Sequence, residues 1–350
     1  MKQVNQQAIA EALQISKATV SRCFTNHPGI NPETRALVFE TASKIGYHHR
    51  IARVSNRRQP KLRPKIGVLI CTEEEEYYRT DYDSPGRLLL KGISESSQLE
   101  GLDLTVHFLD PSATSLDSPV YSDIFRSAAR SWSGLLLLYP FPKLVVDGLL
   151  LKYPCVSLVE QRGAGQLDCV DVNHYQGISL IMNRLYELGH KRIAFYSRPY
   201  KIEASWSFRR TGAYFEKMTQ LGLRIRDCDM INTHPQNLVS LEQSYDLAAE
   251  RVRKGVTAIV CAADHQAYDL MLALEERGIR VPQDVSISGF DGIEAPQGMP
   301  SLSTVEIPYI DIGFTATKRL KDLMKKRFGP HQHILLGCKL RAGETIAAKQ

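Results

Sequence analysis

From residue 66 onward, short apolar runs of strand length recur with helix-length stretches between them. This alternation restricts the chain more than any other feature of the sequence. The runs are Ile66–Cys71, Leu104–Leu109, Leu135–Tyr139, Cys155–Val159, Ile193–Tyr196, Ala258–Cys261 and Val285–Phe290. The helical stretches include Leu88–Glu100, Gly177–Leu188, Thr211–Leu221, Tyr245–Lys254 and Gln266–Arg277. Strands that are apolar along their whole length are covered on both faces, and strand–helix alternation predicts an α/β fold of doubly wound parallel sheets. Such sheets bind ligands beyond the carboxyl ends of their strands.

The first 65 residues have a different character. They carry twelve Lys/Arg against three Asp/Glu, whereas the other 285 residues carry 32 against 35. A basic head therefore precedes a slightly acidic body. The excess peaks between Arg50 and Lys65, where seven of sixteen residues are basic and none is acidic. Alone, such a run reads as a solvated linker; beside a nucleic-acid-binding motif it becomes a footprint for phosphates.

Residues 5–45 read as three short helices. Asn5 caps the first, Ser16 caps a second from Lys17 to about Thr25, and Asn31-Pro32-Glu33 starts a third running to about Ile45. Val20 and Phe24 share one face of the second helix, while Lys17, Ala18, Ser21 and Arg22 point elsewhere. Two short helices joined by a tight turn and braced by a third make a helix-turn-helix. Small residues at Ala18 and Ser21 let the backbone approach a groove floor, and Lys17 and Arg22 are long enough for base edges or phosphates. A small helical bundle with a basic surface fits the same spacing.

Three stretches separate these readings. They are Ala8-Ile9-Ala10 through Ile15-Ser16-Lys17-Ala18-Thr19-Val20-Ser21-Arg22, then Asn31-Pro32-Glu33-Thr34-Arg35, then Ile45-Gly46-Tyr47. They resemble the head of the lactose-repressor family of transcription regulators. The resemblance implies base-reading positions at Lys17, Ala18 and Arg22. It implies phosphate contact or helix packing at Thr19 and Ser21, and DNA contact at Asn31. Gln14 stands at the family's turn glycine, a position that calls for an unusual backbone angle. The family's hinge helix wedges a leucine into the minor groove. Here the stretch His48–Asn56 is one residue short and has no leucine at that place. Arg53 and Val54 are the expected DNA contacts, with Val54 or Ile51 as the wedge, or with phosphate contact alone.

The body resembles the same family in its periplasmic-binding-protein-like effector domain. The marks are Leu188-Gly189-His190-Lys191-Arg192-Ile193-Ala194, Ser207–Gly212, Ala262–Ala267 and Val281-Pro282-Gln283-Asp284-Val285-Ser286-Ile287-Ser288-Gly289-Phe290-Asp291. The resemblance implies two doubly wound sub-domains, 66–161 with 292–322 and 162–291 with 323–350, joined by three crossovers around an effector cleft. Residues 1–49 form the DNA-binding domain and 50–65 the basic linker. For the effector it implies Arg209 as a fork of donors and Asp291 as a double acceptor. Asp264 is a ligand or a helix cap. His174, next to Asn173, replaces the family's asparagine. Ser84 and Arg87, with Asp83, belong to the first sub-domain's ligand loop, and Trp206 and Tyr82 stack on a sugar face or pack.

Several classes are excluded. No phosphate-loop, nucleophile-elbow or zinc-protease motif is present, so no enzyme is predicted. Gly163-Ala164-Gly165 is too short for a dinucleotide loop, and the acidic run Glu73–Glu76 reads as solvated rather than metal-binding. Seven scattered cysteines form no CxxC pair, which excludes a zinc cluster and a disulfide framework. No apolar run reaches the ~18 residues of a membrane span. Met1–Ala12 lacks the apolar segment of a signal peptide, which predicts a cytoplasmic protein. The expected function is an effector-controlled, DNA-binding repressor, with a pseudo-palindromic operator, a sugar-like metabolite and a second copy of the chain as partners and with no cofactor. The alternative is a transport-type sugar-binding protein with no role at DNA.

Overall fold

A computed structural model describes residues 5–25, 27, 29–45, 47, 63–72, 84–127, 132–161, 167–198, 204–232, 238–325 and 330–349. Arg53, Val54, Ile51, Tyr82, Asp83 and Glu73–Glu76 lie outside them. The chain forms two compact units. The first comprises residues 1–80, 84–171 and 309–334, and the second 172–308 and 335–350.

The head, within the first unit, is built as its caps predict. Helix α1 (Gln6–Ala12) starts at Asn5, whose side chain accepts from the amides of Gln7 and Ala8. Helix α2 (Lys17–Phe24) starts at Ser16, which accepts from the Thr19 amide at 3.0 Å. Helix α3 (Pro32–Lys44) starts at Asn31 with proline in its first turn. Ile9, Ala10, Val20, Cys23, Val38 and Ala42 meet in a small core, and Phe24 packs on Phe39 and Tyr47. Gln14 adopts φ 53° in the turn between α1 and α2. That left-handed conformation costs a side chain about 1–2 kcal/mol.

The rest of the first unit is a parallel sheet. Its strands are β1 (Lys65–Cys71), β2 (Asp103–Leu109), β3 (Trp132–Leu138), β4 (Cys155–Leu158) and β5 (Asp168–Val172), in the order β2-β1-β3-β4-β5. Between them run α4 (Pro85–Glu100), α5 (Pro119–Ser127) and α6 (Lys143–Leu150). After its excursion through the second unit the chain returns as α11 (Tyr309–Met324), which packs on α4. The two helix backbones touch. A Cβ on Gly92 would strike the carbonyl of Ile310, and one on Gly313 would strike the carbonyl of Leu89. Glycine is required at both, because the obstacle is backbone and cannot rotate away.

The second unit repeats the pattern. Strands β6 (Ile193–Tyr196), β7 (Met230–Ile231), β8 (Ala258–Cys261) and β9 (Ser286–Ser288) form a parallel sheet in the order β7-β6-β8-β9. Helices α7 (His174–Glu187), α8 (Ser205–Gln220), α9 (Leu241–Arg253) and α10 (Asp264–Glu276) alternate with them. β10 (Thr304–Glu306) pairs antiparallel with β12 (Lys339–Arg341), and β11 (His333–Leu336) lies beside β5. The Leu188-Gly189-His190 motif anchors the chain's end. His190 bonds Thr257 through Nδ1 and donates through Nε2 to the Ala347 carbonyl, both at 2.9 Å, and burial lowers its pKa.

The crossings between units fall at 171/172, 308/309 and 334/335. The expected places were 161/162, 291/292 and 322/323. β5 remains in the first sheet through its pairing with β4, so the first crossing comes later. Residues 292–308 stay with the second unit because Gly292, Ile293 and Thr304 bond to Asp264 there. The first unit retains residues up to Ile334 because the Cys169 amide bonds the Gln332 carbonyl. Helices begin earlier than expected, at Pro85, His174 and Leu241, because Ser84, Asn173 and Ser240 act as caps. Six of the seven cysteines are buried and Cys228 is exposed. Among the described residues no helix is long and apolar enough to cross a membrane.

Two alanine substitutions with opposite signs test this packing. Gly313→Ala is expected to destabilise by about 1–3 kcal/mol, since its Cβ meets backbone. Gly212→Ala, mid-helix in α8 with nothing within 4 Å, is expected to stabilise by about 0.5–1 kcal/mol. Urea unfolding midpoints, with unchanged slopes, read both.

Candidate nucleic-acid interface and polar cluster

Helix α2 is fixed from one side and open on the other. Val20 and Cys23 are fully buried in the head core, and burial pushes the Cys23 thiol up to about 11, so it stays protonated. Lys17, Ala18 and Arg22 are exposed and Ser21 is half-buried. Among the described residues neither Lys17 nor Arg22 enters an ion pair. Thr19 shares a 2.8 Å hydrogen bond with Ser16 at the helix start, and Asn31 accepts from the Glu33 amide as the cap of α3. Both are occupied locally. One residue of the head escaped the reading from sequence. Arg35 is 1% exposed and donates through Nη2 to the carbonyls of His27 (2.8 Å) and Ile30 (3.4 Å), tying the loop after α2 to α3.

The expected effector residues separate into two groups. Ser84 caps α4, its hydroxyl accepting from the Arg87 amide. Arg87 forms a two-pronged ion pair with Glu40 of α3. Both lie at the start of α4 in the first unit, apart from the other expected effector residues. His174, Asp264 and Asp291 do come together in the second unit, but the arginine among them is Arg210. Arg209 is exposed on another face of α8. A helix turns by about 100° per residue, so a register error of one residue exchanges a buried side chain for a solvated one. The phase of α8 is set by Ala213, Tyr214 and Met218, which are buried.

Arg210 is the centre of the cluster. Its guanidinium lies 3.9 Å from the Phe290 ring centre and 4.6 Å from that of Trp206. Nε donates to His174 Nδ1 at 3.3 Å, and Nη1 donates to Asp291 Oδ1 at 3.2 Å and to the Ala262 carbonyl. The imidazole accepts through Nδ1, so a neutral ring carries its proton on Nε2. His174 also packs against Phe290 in a tilted arrangement, with ring centres 5.9 Å apart and planes at 41°. The indole of Trp206 is engaged by Arg210, the packing alternative foreseen for it. Arg210 could be found from sequence by phase, because it lies one turn after Trp206 on the side of Tyr214.

Asp264 has a scaffolding role. Fully buried at the start of α10, it accepts from the amides of Gly292 (2.8 Å) and Ile293 (2.9 Å) and from the Thr304 hydroxyl. Burial, and then the neighbouring Asp291 carboxylate, raise its pKa above the usual carboxylate range. Asp291 Oδ2 in turn accepts from the Asp264 amide at 3.3 Å. Gly289 has no room for a side chain, because a Cβ there would strike the Asp264 carboxylate. Asp264 is the first residue of α10 and not its cap, which is Ala263. Asp264 holds the loop that carries Asp291. No group of three or more metal-ligating side chains occurs among the described residues.

Comparisons with known proteins give a family match in the second half of the chain and relatives that cover most of it. Residues 182–346 match the family described as a periplasmic binding protein-like domain. Catabolite control protein A of Priestia megaterium is 26% identical over 328 residues, 91% of this chain and 92% of that protein. The HTH-type transcriptional repressor CytR of Escherichia coli K12 is 23% identical over 348 residues, 97% and 93% of the two chains. Among solved structures, the lac repressor dimer bound to operator and the anti-inducer ONPF superposes with a TM-score of 0.65 at 21% identity. That match covers 99% of this chain and 100% of that one.

The arginine assignment has a direct test. Arg210→Ala removes the cation paired with the Asp291 carboxylate and is expected to cost about 3 kcal/mol or more. Arg209→Ala should stay within about 0.5 kcal/mol of the parent. Thermal unfolding of the two variants side by side distinguishes them.

Proposed function

We infer that the chain belongs to the lactose-repressor family of transcription regulators and that it is a sequence-specific DNA-binding repressor controlled by a small metabolite. Its relatives are regulators of transcription rather than enzymes. The observation that carries the reading is α2. It is a helix held by Val20 and Cys23 that presents Lys17, Ala18 and Arg22 to solvent from a head with a large basic excess. Small residues allow close approach to a major groove, and an exposed arginine suits bidentate contact with guanine.

The effector side rests on Arg210, His174 and Asp291. Together they offer a positive fork, an imidazole and a carboxylate beside the Phe290 ring, a set suited to a hydroxyl-rich ligand such as a sugar. Solved structures of the same fold include a CelR–cellobiose complex, at TM-score 0.63 and 20% identity. The protein works as a homodimer on a pseudo-palindromic operator, each head taking one half-site. Its place of action is the cytoplasm, where the DNA is.

Selection of duplexes from a random library by the purified chain, followed by gel shift against random competitor, tests the reading. A preferred duplex is expected, and no preference at moderate salt overturns it. Arg22→Ala should lose about 1–3 kcal/mol on the selected duplex and flatten preference at one base pair. Equal loss on every sequence would assign Arg22 to a phosphate. A thermal-shift screen with sugars should give a stabilising ligand whose effect Asp291→Asn diminishes.

A further inference from the structure

Helix α3 buries a carboxylate whose partner cation, among the described residues, lies outside the head. Glu40 is 4% exposed, and its two oxygens accept from Nε and Nη2 of Arg87 on α4 at 3.2 and 3.3 Å. One turn further along α4, Lys91 reaches Glu33 at 3.4 Å. Arg35 of α3 donates through Nη1 to Gln98 of α4 at 3.1 Å. The Ser43 hydroxyl accepts from the backbone amide of Phe108 at 3.2 Å, on β2, the edge strand of the first sheet. Glu33 and Glu40 lie two turns apart on one face of α3, and Arg87 and Lys91 one turn apart on α4, so the helices run antiparallel with charges matched.

The composition of the head sharpens this. Of its three acidic residues, Glu11, Glu33 and Glu40, two face the bases of α4. A carboxylate taken out of water without a partner is strongly destabilising. Glu40 is therefore suited to a docked helix and ill suited to a head swinging free on a basic tether. Docking does not cover the reading face, since Lys17, Ala18 and Arg22 remain exposed on α2.

We propose that the α3–α4 contact is a latch that fixes the head on the first unit. In this arrangement Arg87, Lys91 and Gln98 are positioning residues for DNA reading. A latched head is oriented before it meets DNA, so less freedom is lost when two heads engage two half-sites. The latch also gives the body a direct hold on the head in addition to the linker. This inference rests on the DNA-binding reading above, and its test separates the two.

The variants are Arg87→Glu, Arg87→Gln, Glu40→Arg and the charge swap Glu40→Arg/Arg87→Glu, all in the full chain. Arg87→Gln leaves the head's own sequence intact and guards against a head that fails to fold. Amide exchange without DNA is read over Pro32–Lys44 and Pro85–Glu100. Both Arg87 variants should exchange faster over these helices, and the swap should restore protection relative to Glu40→Arg. Binding is read on the duplex selected by the parent chain and on the same duplex cut to one half-site. The Arg87 variants should lose about five-fold or more on the full duplex and little on the half-site. Unchanged exchange in both Arg87 variants overturns the latch, and so does a swap no better than Glu40→Arg alone. Tighter binding by the Arg87 variants would show that the contact masks the head instead of presenting it. If no duplex is ever selected, the DNA-binding reading falls, while the exchange measurement still decides whether the latch exists.

Discussion

The second unit is organised around one buried cation. Arg210 is removed from water, and what surrounds it follows from that removal. Two aromatic rings flank its plane, a carboxylate offsets its charge, and an imidazole and a carbonyl take up donors. The carboxylate must itself be held, and Asp264 does so at one remove by fixing the amides of Gly292 and Ile293. Gly289 leaves the space that this second carboxylate fills. The loop after β9 is thus defined by electrostatics in a low-dielectric interior, where an unmatched charge is far more costly than in water.

The first unit meets its main constraint by geometry. Gly92 and Gly313 let α4 and α11 approach until backbone touches backbone. That contact places the opposite face of α4, with Arg87, Lys91 and Gln98, toward the head. One helix therefore serves both the sheet's packing and the docking of α3.

Legibility in the sequence followed the range of each interaction. Asn5, Ser16 and Asn31 were readable as caps, because capping is settled within three residues. The strands were readable because burial on both faces leaves continuous apolar runs. The positive φ at Gln14 was anticipated from the glycine it replaces. The crossings between units were misplaced, since β5 and residues 292–308 are held by partners distant in sequence. Distance from Gly212 points to Arg209, a linear measure that ignores helical phase, and Arg210 is the residue the fold turns inward. The pairing of Arg87 with Glu40 is invisible in the sequence because the two lie 47 positions apart in different elements. No local pattern announces a pair of that kind.

The distribution of thiols has a practical side. Cys155 is pushed up to about 12 by burial and Cys338 up to about 11, and the Cys169 and Cys261 thiols are also driven upward. A thiol that keeps its proton and sees no solvent is a poor nucleophile. Cys228, exposed beside β7, is left as the natural attachment point for a maleimide dye or spin label. An assembled pair of chains would carry two such tags at equivalent places, and their separation would follow every rearrangement of the pair without a single engineered change.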